Sequence, residues 1–184
     1  MKSYFKLDTN DLENIRKKTA IGGFFRIIEY SGMIGFRRDY MFSIRQVELM
    51  DYIAIHELNC QEMGYEFPLH STKVKINALM ANSSNQIFVA IMNEMVVGYI
   101  HANDYDTLYA PHMKNIMGIA VNADYKRQGI GKALLQAVET WAMDSGATGV
   151  RLVSGSTKKE AHIFYRHCGY TGDKLQLNLC KKII

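Results

Sequence analysis

Residues 119–135 hold the densest chemistry in the chain. An apolar stretch, Ile119-Ala120-Val121, leads through Asn122-Ala123-Asp124-Tyr125 into a basic run with two glycines. That run is Lys126-Arg127-Gln128-Gly129-Ile130-Gly131-Lys132, and Ala133-Leu134-Leu135 follow it. The order reads as a strand, a loop and the start of an amphipathic helix. A helix start offers backbone N–H groups with no partner in the helix, at the positive end of its dipole, and these hold phosphates. Gly129 and Gly131 carry no side chain to keep a diphosphate away. Lys126, Arg127 and Lys132 add positive charge. The nucleotide P-loop needs Ser or Thr after its Gly-Lys, and here Ala133 follows Gly131-Lys132. The dinucleotide fingerprint fails as well, because its third glycine would fall on Leu134. A coenzyme A diphosphate loop fits both the spacing and the place in the chain.

A second block lies about 30 residues further on, beyond a predicted strand: Ala161-His162-Ile163-Phe164-Tyr165-Arg166-His167-Cys168-Gly169-Tyr170. With these two blocks the chain resembles the GNAT superfamily of acyl-CoA-dependent N-acetyltransferases. That family's loop has Arg or Gln, two residues, Gly, one residue, then Gly or Ala. Here Lys126 leads, Gly129 and Gly131 follow, and the departure keeps the charge. The second block carries the family's alanine, aromatic-Tyr pair and closing glycine-aromatic. The resemblance covers residues 43–184 and leaves 1–41 outside.

The resemblance implies acetyl-CoA as cosubstrate and a primary amine, on a small molecule or peptide, as acceptor. It implies that backbone groups of Ile119 and Val121 hold the pantetheine arm. An N–H near Ile119 or Ala120 would polarise the thioester carbonyl. Gln128, Gly129, Ile130, Gly131, Lys132 and Ala133 would hold the diphosphate, with Lys126 and Arg127 beside them. Tyr165 would protonate the leaving thiolate.

An alkyl amine has a pKa near about 10.4, so its attack needs a proton acceptor. Many family members place a Glu at the start of the strand before the loop. The matching residue is Asn115, which cannot act as a base. His101 is the first replacement, with His112, Asp104 and Glu48 as others, and a water chain would leave no trace in sequence. Asn115 also motivates an alternative, an acyl-CoA-binding sensor without transfer activity. Carboxylates and aromatics around the predicted acceptor pocket suit a cationic amine. Tyr65, Glu66, Asp104 and Tyr105, with Asn115, are the expected substrate contacts.

The elements that must position these residues follow from periodicity and turn residues. Strands are expected at residues 43–50, 87–92, 95–100, 116–121, 150–153 and 175–179. Helices are expected at 51–63, 71–82, 131–145 and 160–167, and a polar, aromatic loop at 103–114. Asn93-Glu94 is a two-residue hairpin link. The fold class is α/β: a mixed, mostly antiparallel sheet flanked by helices, as in GNAT proteins. Residues 1–41 form a separate extension, read as a helical arm that starts near Asn10, with Phe24, Phe25, Ile27 and Ile28 as an apolar surface. A homodimer is one expectation for that surface.

Composition agrees with a globular domain: 184 residues, 48% hydrophobic, 22% charged. A formal charge of +4 suits a polyanionic small molecule and gives no argument for nucleic acid. No run of about 18 apolar residues indicates a membrane span, and no signal segment is seen, so a cytoplasmic location is expected. Cys60, Cys168 and Cys180 are widely spaced, and no histidine has a ligand partner at metal spacing. No metal is expected.

Overall fold

The computed structural model describes residues 4–5, 25–30, 33–38, 42–172 and 174–183. Strands β1 (Tyr4–Phe5), β2 (Phe25–Tyr30) and β3 (Met33–Arg38) form a three-stranded antiparallel sheet in the order β1-β3-β2. The helix expected after Asn10 lies outside the described residues. The apolar run that follows it is β2, not part of a helical arm.

The main sheet has five strands in the order β4-β5-β6-β7-β8: β4 (Ser43–Gln46), β5 (Asn85–Met92), β6 (Met95–Thr107), β7 (Ala110–Val121) and β8 (Val150–Leu152). Only the β7–β8 pair is parallel. The expected mixed, mostly antiparallel sheet flanked by helices is therefore present. Asn93 and Glu94 both take positive φ, as a tight hairpin with strand-matching twist requires.

Residues 103–114 are strand, not the expected loop. Asn103 pairs with Asn115, Asp104 with Lys114 and Tyr105 with Met113, so β6 and β7 make one long hairpin. Its polar residues hid the strand because this end of the sheet is only partly covered.

Helices α1 (Tyr52–Leu58) and α2 (Leu69–Met80) cover one face, and α3 (Ile130–Asp144) covers the other. A π-helical turn, Asn59–Met63, follows α1 and ends at Gly64, which takes φ +74°. Val89, Tyr99 and Ala120 pack with Ile55, Leu58 and Ile76 on the α1–α2 face. Ile100, Ala102 and Ile116 pack with Ile130, Leu134 and Val138 on the α3 face. Ile116 and Ala120 would share a face in a regular strand. They do not, because the register shifts between His101 and Ala102 and leaves Met117 unmatched on β7. This bulge rotates the end of β7 relative to its start.

Helix α4 (Lys159–His167) lies beside the start of α3. The strand expected at residues 175–179 is not formed. Leu175, Leu177 and Leu179 are exposed, with no strand partner among the described residues.

Candidate active site

The site lies where β7 and β8 part. They pair through Lys114↔Val150, Asn115↔Arg151 and Ile116↔Leu152, and there β8 ends. β7 continues to Val121, and among the described residues no strand pairs with that edge. The Asn122 N–H donates to the Val97 carbonyl on β6 at 2.9 Å. Backbone groups alternate between neighbours along an antiparallel strand. Ile119 and Val121 therefore turn theirs toward the open edge. Ala120 turns its own toward β6: a Cβ built on Gly98 would lie 2.9 Å from the Ala120 carbonyl oxygen. Of the three expected strand contacts, Ile119 and Val121 face the gap and Ala120 does not.

The loop that follows is shaped for an anion. Asn122 caps a short turn by accepting from the Asp124 N–H at 3.0 Å. Arg127 and Gly129 take φ +66° and +89°. The Gly129 carbonyl accepts the first bond of α3, from the Ala133 N–H at 3.0 Å. The N–H groups of residues 127–132 have no acceptor among the described residues. They form a cradle at the positive end of a 15-residue helix. Ala133, expected in the cradle, has spent its N–H within the helix.

Two loop residues act differently from expectation. A Cβ on Gly131 would meet the Phe164 ring at 3.1 Å, so this glycine lets α4 pack on α3. Lys126 is not a free cation for phosphate. Its Nζ sits 2.6 Å from Glu62 Oε2, while Glu62 Oε1 accepts the Ala123 N–H at 2.8 Å. Lys126 holds the Glu62 carboxyl below the usual range, against the opposing effect of burial. Glu62 was expected only among the carboxylates of the acceptor region, because a helical glutamate carries no signal of a partner 64 residues away.

Tyr165 is half-buried on α4 between Phe164 and Tyr170, at ring distances of 5.3 and 6.1 Å. Its hydroxyl has no partner among the described residues. Burial, with a smaller effect of Cys168, raises its pKa, which keeps the proton on the oxygen.

His101 lies on β6 opposite Gly118, one residue from Ile119. Its Nε2 is 3.1 Å from Asn85 Oδ1. With an oxygen there, Nε2 carries the proton and Nδ1 holds the lone pair. Burial lowers its pKa, so the ring is neutral at pH 7. It lines a pocket of about 140 Å³ under α1 and α2 with Asn59, Thr72, Lys75 and Tyr99. Burial also pushes the Tyr99 hydroxyl up to about 12, and it donates to Asn59.

The other expected residues are dispersed. Tyr65 and Glu66 are exposed on the link between α1 and α2. Tyr105 and Asn115 face the α1–α2 side with Arg151, which the sequence did not single out. Asp104 is engaged by Lys114, on the α3 face beside Trp141, opposite to Tyr105 and Asn115. His112 lies with it, 2.7 Å from Asp106. Glu48 sits near Arg45, 69% exposed. Neither is placed to serve as the base.

A family model described as acetyltransferase (GNAT) family matches residues 52–170. The chain belongs to this family. Membership makes it an acetyltransferase. Among solved structures it is similar to an aminoglycoside acetyltransferase from an uncultured soil metagenomic sample, with TM-score 0.70 and 20% identity over 79% of this chain and 99% of that one. It is similar to an aminoglycoside 6'-N-acetyltransferase from Acinetobacter baumannii, with TM-score 0.68 and 18% identity over 78% and 99%. Glucosamine-6-phosphate N-acetyltransferase from Arabidopsis thaliana gives TM-score 0.68 and 15% identity over 77% and 99%. At these identities the likeness is to the fold. No curated protein matches the sequence. Among the described residues of this GNAT chain, no helix is long and apolar enough to cross a membrane.

Proposed function

We propose that this GNAT protein transfers acetyl from acetyl-CoA to a primary amine by direct attack. The observation that carries the reading is the open edge of β7 leading into the unpaired N–H groups of residues 127–132. A strand edge beside an anion cradle matches an extended amide-bearing arm ending in a diphosphate. Acetyl-CoA supplies the thioester that acylates the amine.

Each residue then has one task. The backbone of Ile119 and Val121 holds the arm by strand-like hydrogen bonds. The Ile119 N–H, on the gap side, stabilises charge on the thioester carbonyl oxygen. Residues 127–132 hold the diphosphate, with Arg127 and Lys132 as exposed cations. His101 takes the amine proton as the C–N bond forms, through Nδ1 directly or through one water. Tyr165 gives its proton to sulfur as the C–S bond breaks. Tyr65, Glu66, Tyr105 and Asn115 border the acceptor.

Calorimetric titration with acetyl-CoA tests the reading, with Gly129→Asp as control. The wild-type chain is expected to bind one equivalent. Gly129→Asp strains a φ of +89° and puts a carboxylate in the cradle, so binding is expected to vanish while the fold persists. Absence of binding to the wild-type protein overturns the reading.

A further inference from the structure

A row of polar side chains crosses the sheet on the α1–α2 face, just before β7 and β8 part. Asn103, Asn115 and Arg151 are register neighbours on β6, β7 and β8. Arg151 Nη1 donates to Asn115 Oδ1 at 2.7 Å. Asn115 Nδ2 points to Asn103 Oδ1 at 3.4 Å and to Met117 Sδ at 3.0 Å. The Arg151 guanidinium also lies over the Tyr105 ring, 4.2 Å from its centre.

These contacts orient the guanidinium without neutralising it. Among the described residues, no carboxylate pairs with Arg151. A partly buried cation is ordinarily matched by an anion, and a guanidinium presents a planar fork suited to carboxylate or phosphate. The pocket under α1 and α2 that holds His101 has one cation, Lys75, and no acidic residue in its walls. Asp104, the carboxylate next to Asn103 on β6, points to the opposite face and is engaged there by Lys114.

We propose that Arg151 is the anion-binding residue of the acceptor site, and that the acceptor is a primary amine bearing a carboxylate or a phosphate. The proposal deepens the acetyl-transfer reading and rests on it for the position of the amine. From His101 to Asn103 and Tyr105 is two to four residues along β6, or about 7–13 Å. The amine and the anion of the acceptor are therefore several bonds apart. An α-amino acid, with both groups on one carbon, is too short. A polycationic amine meets like charge at Arg151.

Matched probes test this: diglycine against diglycine amide, and glucosamine 6-phosphate against glucosamine. Thiol release from acetyl-CoA reads turnover. Calorimetric titration of each probe into the protein–CoA complex reads binding without turnover. The acidic member of at least one pair is expected to show kcat/KM, or affinity, at least about tenfold above its neutral partner. Which pair responds distinguishes carboxylate from phosphate. Arg151→Gln is expected to erase the preference through KM, with the KM for acetyl-CoA unchanged. Arg151→Lys, which keeps the charge and loses the fork, should retain part of it.

Neutral probes that bind or react as well as their acidic partners overturn the proposal, as does a preference that survives Arg151→Gln. Failure of every acidic probe to bind the CoA complex also overturns it. Acidic probes that bind through Arg151 without being acetylated uphold the anion site and count against acetyl transfer.

Discussion

Glu62 and Lys126 join the turn after α1 to the loop before α3 through a 2.6 Å ion pair, and the same carboxylate takes the Ala123 N–H. The clamp ties the start of the loop before α3 to the α1–α2 side. Lys126 is about half exposed, so the pair is worth only about 1 kcal/mol, or roughly a fivefold effect. Glu62→Gln is expected to raise the acetyl-CoA dissociation constant by about that factor. The pH dependence has a definite sign. The Glu62 carboxyl is held below its usual pKa, so the clamp is complete above the unfolded value of about 4.3 and is lost as pH falls through the lower folded value. The wild-type protein should lose the same factor only in acid, whereas Glu62→Gln shows it at pH 7. Equal affinities at pH 7 would remove the clamp from cofactor binding.

Tyr165 keeps its proton in the folded protein, as the proposed acid must. Burial raises its pKa, and no protein group takes its hydroxyl proton among the described residues. Tyr165→Phe keeps the ring contacts with Phe164 and Tyr170 and removes only the proton. Turnover is expected to fall by more than about tenfold with acetyl-CoA affinity unchanged. An unchanged kcat excludes Tyr165 from the transfer.

His101 gives a prediction on the other side of neutrality. Its pKa is lowered by burial, so the ring stays neutral until the pH drops below its usual value of about 6.5. The acid limb of kcat should therefore fall below pH 6.5, and His101→Asn should abolish that limb and lower kcat. Stability follows the same sign. The unfolded chain takes up the proton first, so the folded state weakens as pH falls below about 6.5. A pH–kcat profile unaltered by His101→Asn assigns the proton to another acceptor.

Local patterns made much of this site legible in the sequence. Gly129, the helix behind it and Tyr165 all lie within short runs whose spacing carries the meaning. What the sequence hid depends on pairing between distant segments. The Asn103–Asn115–Arg151 row exists only through the β6–β7–β8 register, including the bulge at Met117. Nothing local to Arg151 announces it. Asp104 was expected among the acceptor contacts because its neighbours looked like loop. As a strand residue opposite Lys114, it points to the α3 face, away from Asn103 and Tyr105. The alternating Leu175, Leu177 and Leu179 carried a strand period, but a period supplies no sheet partner.

Among the described residues, Lys114 and Asp104 form the one pair in which a fully buried ammonium depends on a single carboxylate. Lys114 is 2% exposed and lies 3.8 Å from the centre of the Trp141 ring, with His112 Nε2 at 3.3 Å. Removing one member of a buried pair strands the other charge, at a cost of about 3–5 kcal/mol, whereas replacing both is far milder. Asp104 is 28% exposed, so the lower end of that range applies. Asp104→Asn is expected to cut stability by about 3 kcal/mol in chemical unfolding, and adding Lys114→Met to recover most of it. Trp141 is the only tryptophan in the chain, so tryptophan emission reports its surroundings, which include this contact. Lys114→Met should change that emission in the folded protein by removing the cation from the ring face. If Asp104→Asn unfolds at the wild-type midpoint, or Trp141 emission ignores Lys114→Met, the buried pair does not hold this end of the sheet to α3.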